Sequence, residues 1–186
     1  HVEGLEVDVS INLSATDLYD VEVPELISQA LSTWNVSPER LCLEITETSM
    51  IDDAEGVSVS AVLGRLRALG LSLSIDDFGT GFSGMSRLKR LAVQEVKIDR
   101  SFVIDLLSSS RDREIAASII DLSHRLGVEV TAEGVEDEQT ASLLADMGCD
   151  HIQGFLYSKA LPPADFVTWV RARAGIGPLE RNMGEG

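Results

Sequence analysis

The chain has 186 residues, 44% of them hydrophobic, and its 31 acidic against 15 basic residues give a formal net charge of −16 at pH 7. Such a length fits one domain with a sizeable core. The charge argues against binding to polymeric nucleic acid, because no basic stripe is present to neutralise phosphates. No apolar run approaches the roughly 18 residues of a membrane span. The two cysteines indicate reduced thiols, so we expect a cytoplasmic domain, whose parent protein could be membrane-anchored through other regions.

Alternation of apolar and polar residues predicts six β-strands, and helical patterns follow most of them. The strands are expected at 7–14, 41–46, 71–77, 96–99, 128–134 and 151–155. Helices are expected at 15–34, 54–69, 111–126, 137–147 and 163–174, with a short one at 86–91. Gly70, Gly127 and Gly148 each follow a helix, where a left-handed residue commonly ends it. We therefore expect one domain over 1–174 and a loose tail over 175–186.

Polar side chains share one face near the end of each predicted strand. Successive side chains of a strand point to opposite faces, so the apolar residues of each strand define the other face. The polar residues so placed are Asn12, Glu44, Asp76, Lys97 with Asp99, Glu133 and Gln153. Catalytic groups at the carboxyl ends of parallel strands are typical of a (β/α) barrel.

The number of strands predicts an incomplete barrel. A closed eight-stranded barrel usually takes about 250 residues, whereas six strands are predicted here. We therefore expect a TIM-like barrel with six of its eight strands, truncated at the N-terminal side. The strands at 7–14 and 151–155 would flank the gap with unpaired edges and partly uncovered apolar faces. Association, including a homodimer, or poor solubility is the expected consequence.

Converging carboxylates require a counter-charge. Two carboxylates about 4 Å apart repel by roughly 4 kcal/mol at an effective dielectric near 20, and Glu44, Asp76, Asp77 and Glu133 are expected at one mouth. Oxygen ligands without Cys or His favour Mg²⁺, Mn²⁺ or Ca²⁺ over zinc. The alternative is a set of solvated acids that cap helix N-termini.

A second motif predicts different chemistry. Residues 79–84 read Gly-Thr-Gly-Phe-Ser-Gly after a strand, and Asp99 follows twenty residues after Gly79, which is the form of a nicotinamide-dinucleotide fingerprint. Asp76 and Asp77 would then lie beside a pyrophosphate without a cation, and the helix that follows is too short for such a unit. A loop whose glycines allow tight turns is the simpler interpretation.

Six segments in order resemble the EAL-domain cyclic-di-GMP phosphodiesterases. They are INLSA (11–15), LEITE (43–47), IDDFGTG (75–81), VKIDRSF (96–102), AEGVE (132–136) and QGF (153–155). The similarity covers nearly the whole chain. It implies a TIM-like barrel with one strand reversed, and hydrolysis of cyclic-di-GMP to linear pGpG with two Mg²⁺ or Mn²⁺ ions.

The resemblance also implies roles for individual residues. Asn12, Glu44 and Asp76 resemble ligands of a first metal, and Asp76 would bridge to a second ion held also by Asp77 and Glu133. Lys97 and Gln153 resemble the residues that hold the attacking water, and Glu136 resembles an accessory acid. The expected catalytic residues are therefore Lys97, Glu133, Gln153 and Glu136. Glu47 resembles the residue that braces the DDFGTG loop. For Lys97 the alternative is an interior lysine neutralised by Asp99.

The sequence departs from the family in two places. The Glu-Ala-Leu segment that gives the family its name, with a further metal ligand, is absent before Val7, and Ala160 occupies a position where the family usually has Pro. A receptor that binds cyclic-di-GMP without cleaving it, or a structural fragment, is therefore a rival interpretation to the enzyme. The resemblance also leads us to expect regulatory domains in the parent protein.

Overall fold

A computed structural model describes residues 5, 7–47, 59–80 and 93–174. The chain forms two compact units, one of residues 8–157 and one of residues 1–7 with 158–186. In the second unit, helix α7 (Pro163–Ala174) carries Phe166 stacked on Trp169, and the Arg173 guanidinium lies over the Trp169 ring. Among the described helices of both units, none combines the length and apolar character that a bilayer crossing needs.

Over its described residues, the larger unit is built on one parallel sheet of six strands. They are β1 (Val9–Leu13), β2 (Leu41–Thr46), β3 (Ser72–Phe78), β4 (Glu95–Ile98), β5 (Glu129–Ala132) and β6 (His151–Ile152). The strands pair in sequence order, β1 to β6, and every pairing is parallel. This is the predicted α/β arrangement. Among the described residues β1 pairs only with β2 and β6 only with β5, so the sheet is not closed.

Helices connect the strands as the periodicity indicates. They are α1 (Ala15–Leu18), α2 (Val23–Trp34), α3 (Val59–Ala68), α4 (Arg100–Val103), α5 (Ser110–Arg125) and α6 (Glu138–Asp146). A single 3₁₀ turn (Pro38–Arg40) precedes β2. Gly70, Gly127 and Gly148 have positive φ angles after α3, α5 and α6, which confirms the predicted helix ends.

The prediction of one helix over 15–34 was wrong, because the chain forms two. Ser14 begins α1 with a capping box, in which its hydroxyl accepts from Asp17 N and the Asp17 carboxylate accepts from Ser14 N. Pro24 lies in the first turn of α2. Proline lacks the N–H donor and clashes with the preceding turn, so it is tolerated only where a helix begins. Pro24 was therefore the signal for a second helix start.

Helix α4 was not predicted. Asp99, immediately after β4, caps it by accepting from Ser101 N at 3.0 Å. One turn is too short for a periodic signal. The predicted helix at 86–91, the start of the predicted helix at 54–69 and residues 81–84 of the glycine motif lie outside the described residues.

The apolar side chains of the central strands are buried. Leu43, Ile45, Leu73 and Ile98 are at most 1% exposed. They belong to the apolar parity that the alternation defined, and they pack among the helices that connect the strands. At the open edge, Val9 is 52% and Ile11 is 45% exposed, as predicted for the outward face of the first strand.

Candidate metal centre and active site

Strand parity brings the predicted acids and the lysine to the same side of the sheet. Asn12 of β1 is in register with Glu44 of β2, and Asp76 of β3 is in register with Thr46. Glu44 is 8% exposed and Lys97 3% exposed, so both are buried in spite of their charge. Charged side chains are buried almost only when they are paired.

Lys97 is the centre of the cluster. Its Nζ atom lies 2.5 Å from Glu133 Oε1, 3.0 Å from Glu44 Oε1 and 3.4 Å from Asp76 Oδ1. Burial alone would lower the pKa of Lys97, but its hydrogen bonds and ion pairs with Glu133 and Glu44 outweigh burial and raise it. The Lys97 ammonium is therefore shared by three carboxylates.

The alternative in which Asp99 neutralises Lys97 was wrong. The Asp99 carboxylate caps α4 and also lies against Asp77, whose pKa it raises. The Lys97 ammonium instead bonds to acids from three other strand ends. The lysine thus belongs to the acidic cluster and not to a local ion pair.

Asp77 reaches the cluster through an unusual backbone. Neighbouring residues of a regular strand point to opposite faces, so Asp76 and Asp77 would be separated. Asp77 has φ 54°, in the left-handed region, and the pairing of β3 with β4 shifts register between Ile75 and Phe78. Thr80 holds this turn, because its hydroxyl donates to Asp77 O at 2.8 Å. The irregularity re-aims a side chain, as β-bulges next to active sites do.

Asp76, Asp77 and Glu133 offer three converging carboxylate oxygens, all within 4.8 Å of one another. Burial and the neighbouring Asp76 raise the pKa of Asp77. Burial also raises the pKa of Glu133, in spite of the Lys97 ammonium. Both shifts arise because burial disfavours the charged carboxylates and the neighbouring carboxylates add to that effect.

The donor set fits a hard divalent cation. Each of the three residues supplies a carboxylate oxygen, and the next carboxylate, Glu44, is linked to the group through Lys97. Oxygen-only ligation without thiolate or imidazole suits Mg²⁺, Mn²⁺ or Ca²⁺. A cation here would also relieve the repulsion that raises the two carboxyl pKa values.

Glu47 lies under the loop that follows β3. It is 3% exposed, and its Oε2 atom lies 3.4 Å from Gly79 N, so it accepts a long hydrogen bond from that loop. Gly79 has φ 100°. The contact is the one that the resemblance implied for a loop-bracing glutamate.

A groove beside the cluster is lined by Arg100, Glu133, Gly134, Glu136, Gln153, Gly154 and Phe155. Gln153 is exposed in this groove, next to Glu133. Glu136 is not among the converging carboxylates, since its Oε1 accepts from the Arg100 guanidinium at 2.7 Å. Asn12 is exposed on β1, which pairs directly with β2 at the edge of the sheet.

No site role was predicted for Arg100, and Asp99 was predicted only to share the face of the strand-end acids. Arg100 lines the groove, and Asp99 contacts the Asp77 carboxylate. Both follow Lys97 within the same short segment, which is the signal that could have identified them. The position of Arg100 depends on how the chain turns after β4, and alternation along a strand does not determine that turn.

The match to a family model decides the classification, because the EAL domain model matches residues 2–160. The chain belongs to the EAL domain family. The described residues of the motifs that carried the resemblance lie on the strands just described and on the segments that follow them. The fold is therefore that of the TIM-like EAL barrels, here with six paired strands.

Among curated relatives, the cyclic di-GMP phosphodiesterase NbdA of Pseudomonas aeruginosa is 39% identical over 187 aligned positions, covering 100% of this chain and 24% of NbdA. The chain spans between about a fifth and a quarter of the length of the first curated relatives that it matches. These relatives are thus much longer proteins, of which this chain matches one part.

Solved structures agree with this classification. The PaMucR phosphodiesterase in complex with c-di-GMP superposes with a TM-score of 0.79 at 36% identity, over 86% of this chain and 64% of that one. A manganese and c-di-GMP complex of Klebsiella pneumoniae BlrP1 gives a TM-score of 0.75 at 34% identity, over 82% of this chain and 38% of BlrP1.

Proposed function

We propose that this chain is the catalytic domain of a metal-dependent phosphodiesterase that hydrolyses cyclic-di-GMP to linear pGpG. The observation that carries the proposal is the convergence of four strand-end carboxylates, Glu44, Asp76, Asp77 and Glu133, around the buried Lys97 in an EAL domain. Relatives named as cyclic di-GMP phosphodiesterases and similar structures named as c-di-GMP complexes support the choice of substrate.

Two divalent ions, Mg²⁺ or Mn²⁺, are the proposed cofactors. Asn12, Glu44 and Asp76 would hold the first, while Asp76, Asp77 and Glu133 would hold the second. Bound ions of this kind lower the pKa of water and stabilise the charge that develops on a reacting phosphate. The manganese and c-di-GMP complex of BlrP1 supports this assignment of the metal.

The chain's own residues orient the reactants. We assign the attacking water to Lys97 and Gln153, and the bracing of the loop after β3 to Glu47, while the resemblance implies that Glu136 is an accessory acid. The water oxygen bonds to phosphorus as the bond from phosphorus to the 3′ oxygen breaks. One water proton passes by way of the Glu133 carboxylate to solvent, and the released 3′ oxygen takes a proton from solvent.

The direct test is turnover by the protein at its full natural length. With Mn²⁺ and cyclic-di-GMP, chromatography should show pGpG accumulating. Tight calorimetric binding without pGpG would instead establish the rival function, a receptor. Neither binding nor turnover by a folded protein would refute both functions and leave a structural role.

Asp77→Asn tests the assignment of the second metal. Asn tolerates the left-handed backbone at φ 54° almost as well as Asp, so the turn should keep its shape while the carboxylate is lost. We expect kcat to fall on the order of 100-fold or more, with a smaller change in KM, because metal stabilisation is greatest in the transition state. Asp146→Asn, on an exposed position of α6, is the matched control and should leave both constants unchanged. A higher KM at unchanged kcat would instead mean that Asp77 only holds substrate.

The homodimer, the additional regulatory domains and the division into 1–174 and a tail stay predictions. Sedimentation of the purified protein over a concentration series would test the first.

A further inference from the structure

The turn of residues 133–136, which follows β5, is held by hydrogen bonds on both sides. Glu133 N donates to Ile98 O at 3.1 Å, which fixes the turn to the end of β4. Val135 N donates to Gln153 O at 3.1 Å, which fixes it to the segment after β6. Gly154 allows this second contact, because a Cβ atom there would lie 2.1 Å from Val135 O. Glu133 and Gln153, both assigned to catalysis, are thus joined through one short turn.

Arg100 crosses the same turn from the other side. Gly134 has φ 71°, and a Cβ atom on it would lie 2.3 Å from Arg100 Cγ and 2.8 Å from Arg100 Cδ. The aliphatic part of the arginine therefore packs directly on the Gly134 backbone. The guanidinium then reaches past Gly134 to Glu136, with Nη2 to Oε1 at 2.7 Å. The arginine thus contacts Gly134 and Glu136, the second and last residues of the turn that begins at Glu133.

We propose that Arg100 is a positioning residue, which clamps the 133–136 turn through Gly134 and Glu136 and so sets the place of the Glu133 carboxylate. Glu136 is on this view the anchor of the clamp and not a group that touches the metals or the reacting phosphate. The inference rests on the proposed function. It revises the role that the resemblance gave to Glu136.

The clamp acts on geometry more than on stability. The Arg100 side chain is 53% and the Glu136 side chain 49% exposed, and ion pairs with such exposure contribute little to folding. A displacement of about 1 Å in a group that positions reactants costs on the order of 100-fold in rate. Loss of the clamp should therefore leave the protein folded and reduce its turnover.

The variants separate the packing of Arg100 from its charge. Arg100→Met keeps an unbranched stem over Gly134 and removes the cation, whereas Arg100→Lys keeps both stem and cation. Glu136→Gln removes the charged anchor. A double variant combines Arg100→Met with Glu136→Gln. Arg125→Met is the matched control, because Arg125 forms an exposed ion pair with Asp121 on α5 at 2.9 Å, outside the groove.

We expect Arg100→Met and Glu136→Gln each to lower kcat about 10-fold with KM within about 2-fold, since positioning acts mainly in the transition state. Their Mn²⁺ affinities, measured by calorimetry, should fall together, because Glu133 is a proposed metal ligand. The double variant should be no worse than either single one, as expected for two residues of one unit. Arg100→Lys should recover most of kcat and of Mn²⁺ affinity, and Arg125→Met should match the unmodified protein.

Three results would overturn the clamp. A higher KM at unchanged kcat in Arg100→Met, with Glu136→Gln unaffected, would show that Arg100 binds the substrate itself. Additive losses in the double variant, or a loss in Arg125→Met equal to that in Arg100→Met, would show that the two residues do not act together. If the unmodified protein binds Mn²⁺ but forms no pGpG, the proposed function fails, while the Mn²⁺ affinities of the same variants still decide the clamp.

Discussion

Replacement of Lys97 by methionine is the most informative single perturbation of the acidic cluster. Methionine is similar in length and unbranched, so the packing of a residue that is 3% exposed is largely kept while the ammonium is removed. The change leaves Glu44, Asp76 and Glu133 without the cation that lies 2.5–3.4 Å from their oxygens. The variant therefore isolates the electrostatic role of the lysine.

The expected size of the effect follows from these distances. At an effective dielectric near 20, the contact of 3.0 Å with Glu44 corresponds to roughly 5.5 kcal/mol of gross attraction. Desolvation offsets most of such attraction, and the loss of one partner from a buried ion pair costs about 3–5 kcal/mol net. We expect the free energy of unfolding at pH 7 without metal to fall by about 3 kcal/mol or more.

Divalent metal should compensate for the missing lysine. A cation bound among the carboxylates supplies the positive charge that Lys97→Met removes, and a ligand at 100 times its Kd stabilises a protein by about 2.7 kcal/mol. Because the variant no longer has an ammonium competing for the same oxygens, its affinity for Mn²⁺ should rise. At saturating Mn²⁺ the two proteins should therefore differ by less than about 1 kcal/mol.

Urea denaturation followed by circular dichroism, with and without Mn²⁺, measures these differences. Arg125→Met again serves as control, since its ion pair is exposed and its loss should cost less than about 0.5 kcal/mol. A loss below about 1 kcal/mol in the metal-free Lys97→Met protein would refute the reasoning. So would a larger loss that Mn²⁺ leaves unchanged.

Three further predictions concern the fold around the site. Gly154→Ala should lower the free energy of unfolding by about 3 kcal/mol or more, because the new Cβ atom would lie 2.1 Å from the backbone oxygen of Val135. Gly64→Ala is the control in the same urea titration, and it should be neutral or stabilising because no atom lies within 4 Å of its Cβ position. Burial would raise the pKa of Asp150, but the hydrogen bonds from His124 and from the β5 backbone outweigh it and lower that pKa below its usual 3.8. The stability that these hydrogen bonds confer is present above pH 3.8 and is lost as the pH falls through the lowered pKa. Asp150→Asn should therefore flatten the decline in the free energy of unfolding measured between about pH 5 and pH 2. Burial raises the pKa of Cys42 to about 11. Its alkylation at pH 8, followed by mass spectrometry, should therefore be about 100-fold slower than that of a free cysteine, and the alkylation rate should rise about tenfold per pH unit. An alkylation rate that stops rising near pH 8.5 would contradict this.

Local signals in the sequence were sufficient for the parallel order of the sheet and for most of the acidic cluster. Alternation in the segments around Glu44, Asp76 and Lys97 fixes which residues share a face, because the side-chain period of a strand is 2. The βα succession then makes the sheet parallel, and the carboxyl ends of parallel strands lie at one edge. The glycines after the helices were likewise predictable, since few other residues adopt the left-handed backbone at low cost.

Signals that spanned only a few residues were missed or misjudged. Pro24 starts a second helix inside a segment that periodicity joined into one, and Asp99 caps a helix of one turn. In both places the deciding residue was present in the sequence. A periodic pattern needs several turns to be recognised, whereas a cap or a helix-starting proline acts at one position.

The tertiary structure alone decided how the site is completed. Alternation places Asp77 away from Asp76, and only the left-handed backbone at Asp77, with the register shift in β3, brings its carboxylate to Glu133. Arg100 contacts Gly134 and Glu136, so it joins the segments that follow two different strands. The two residues of its ion pair, Arg100 and Glu136, are 36 positions apart in the chain. A strand's alternation is a local property of its backbone, whereas a bulge or a contact between loops is fixed only when neighbouring strands pair and their ends are brought together.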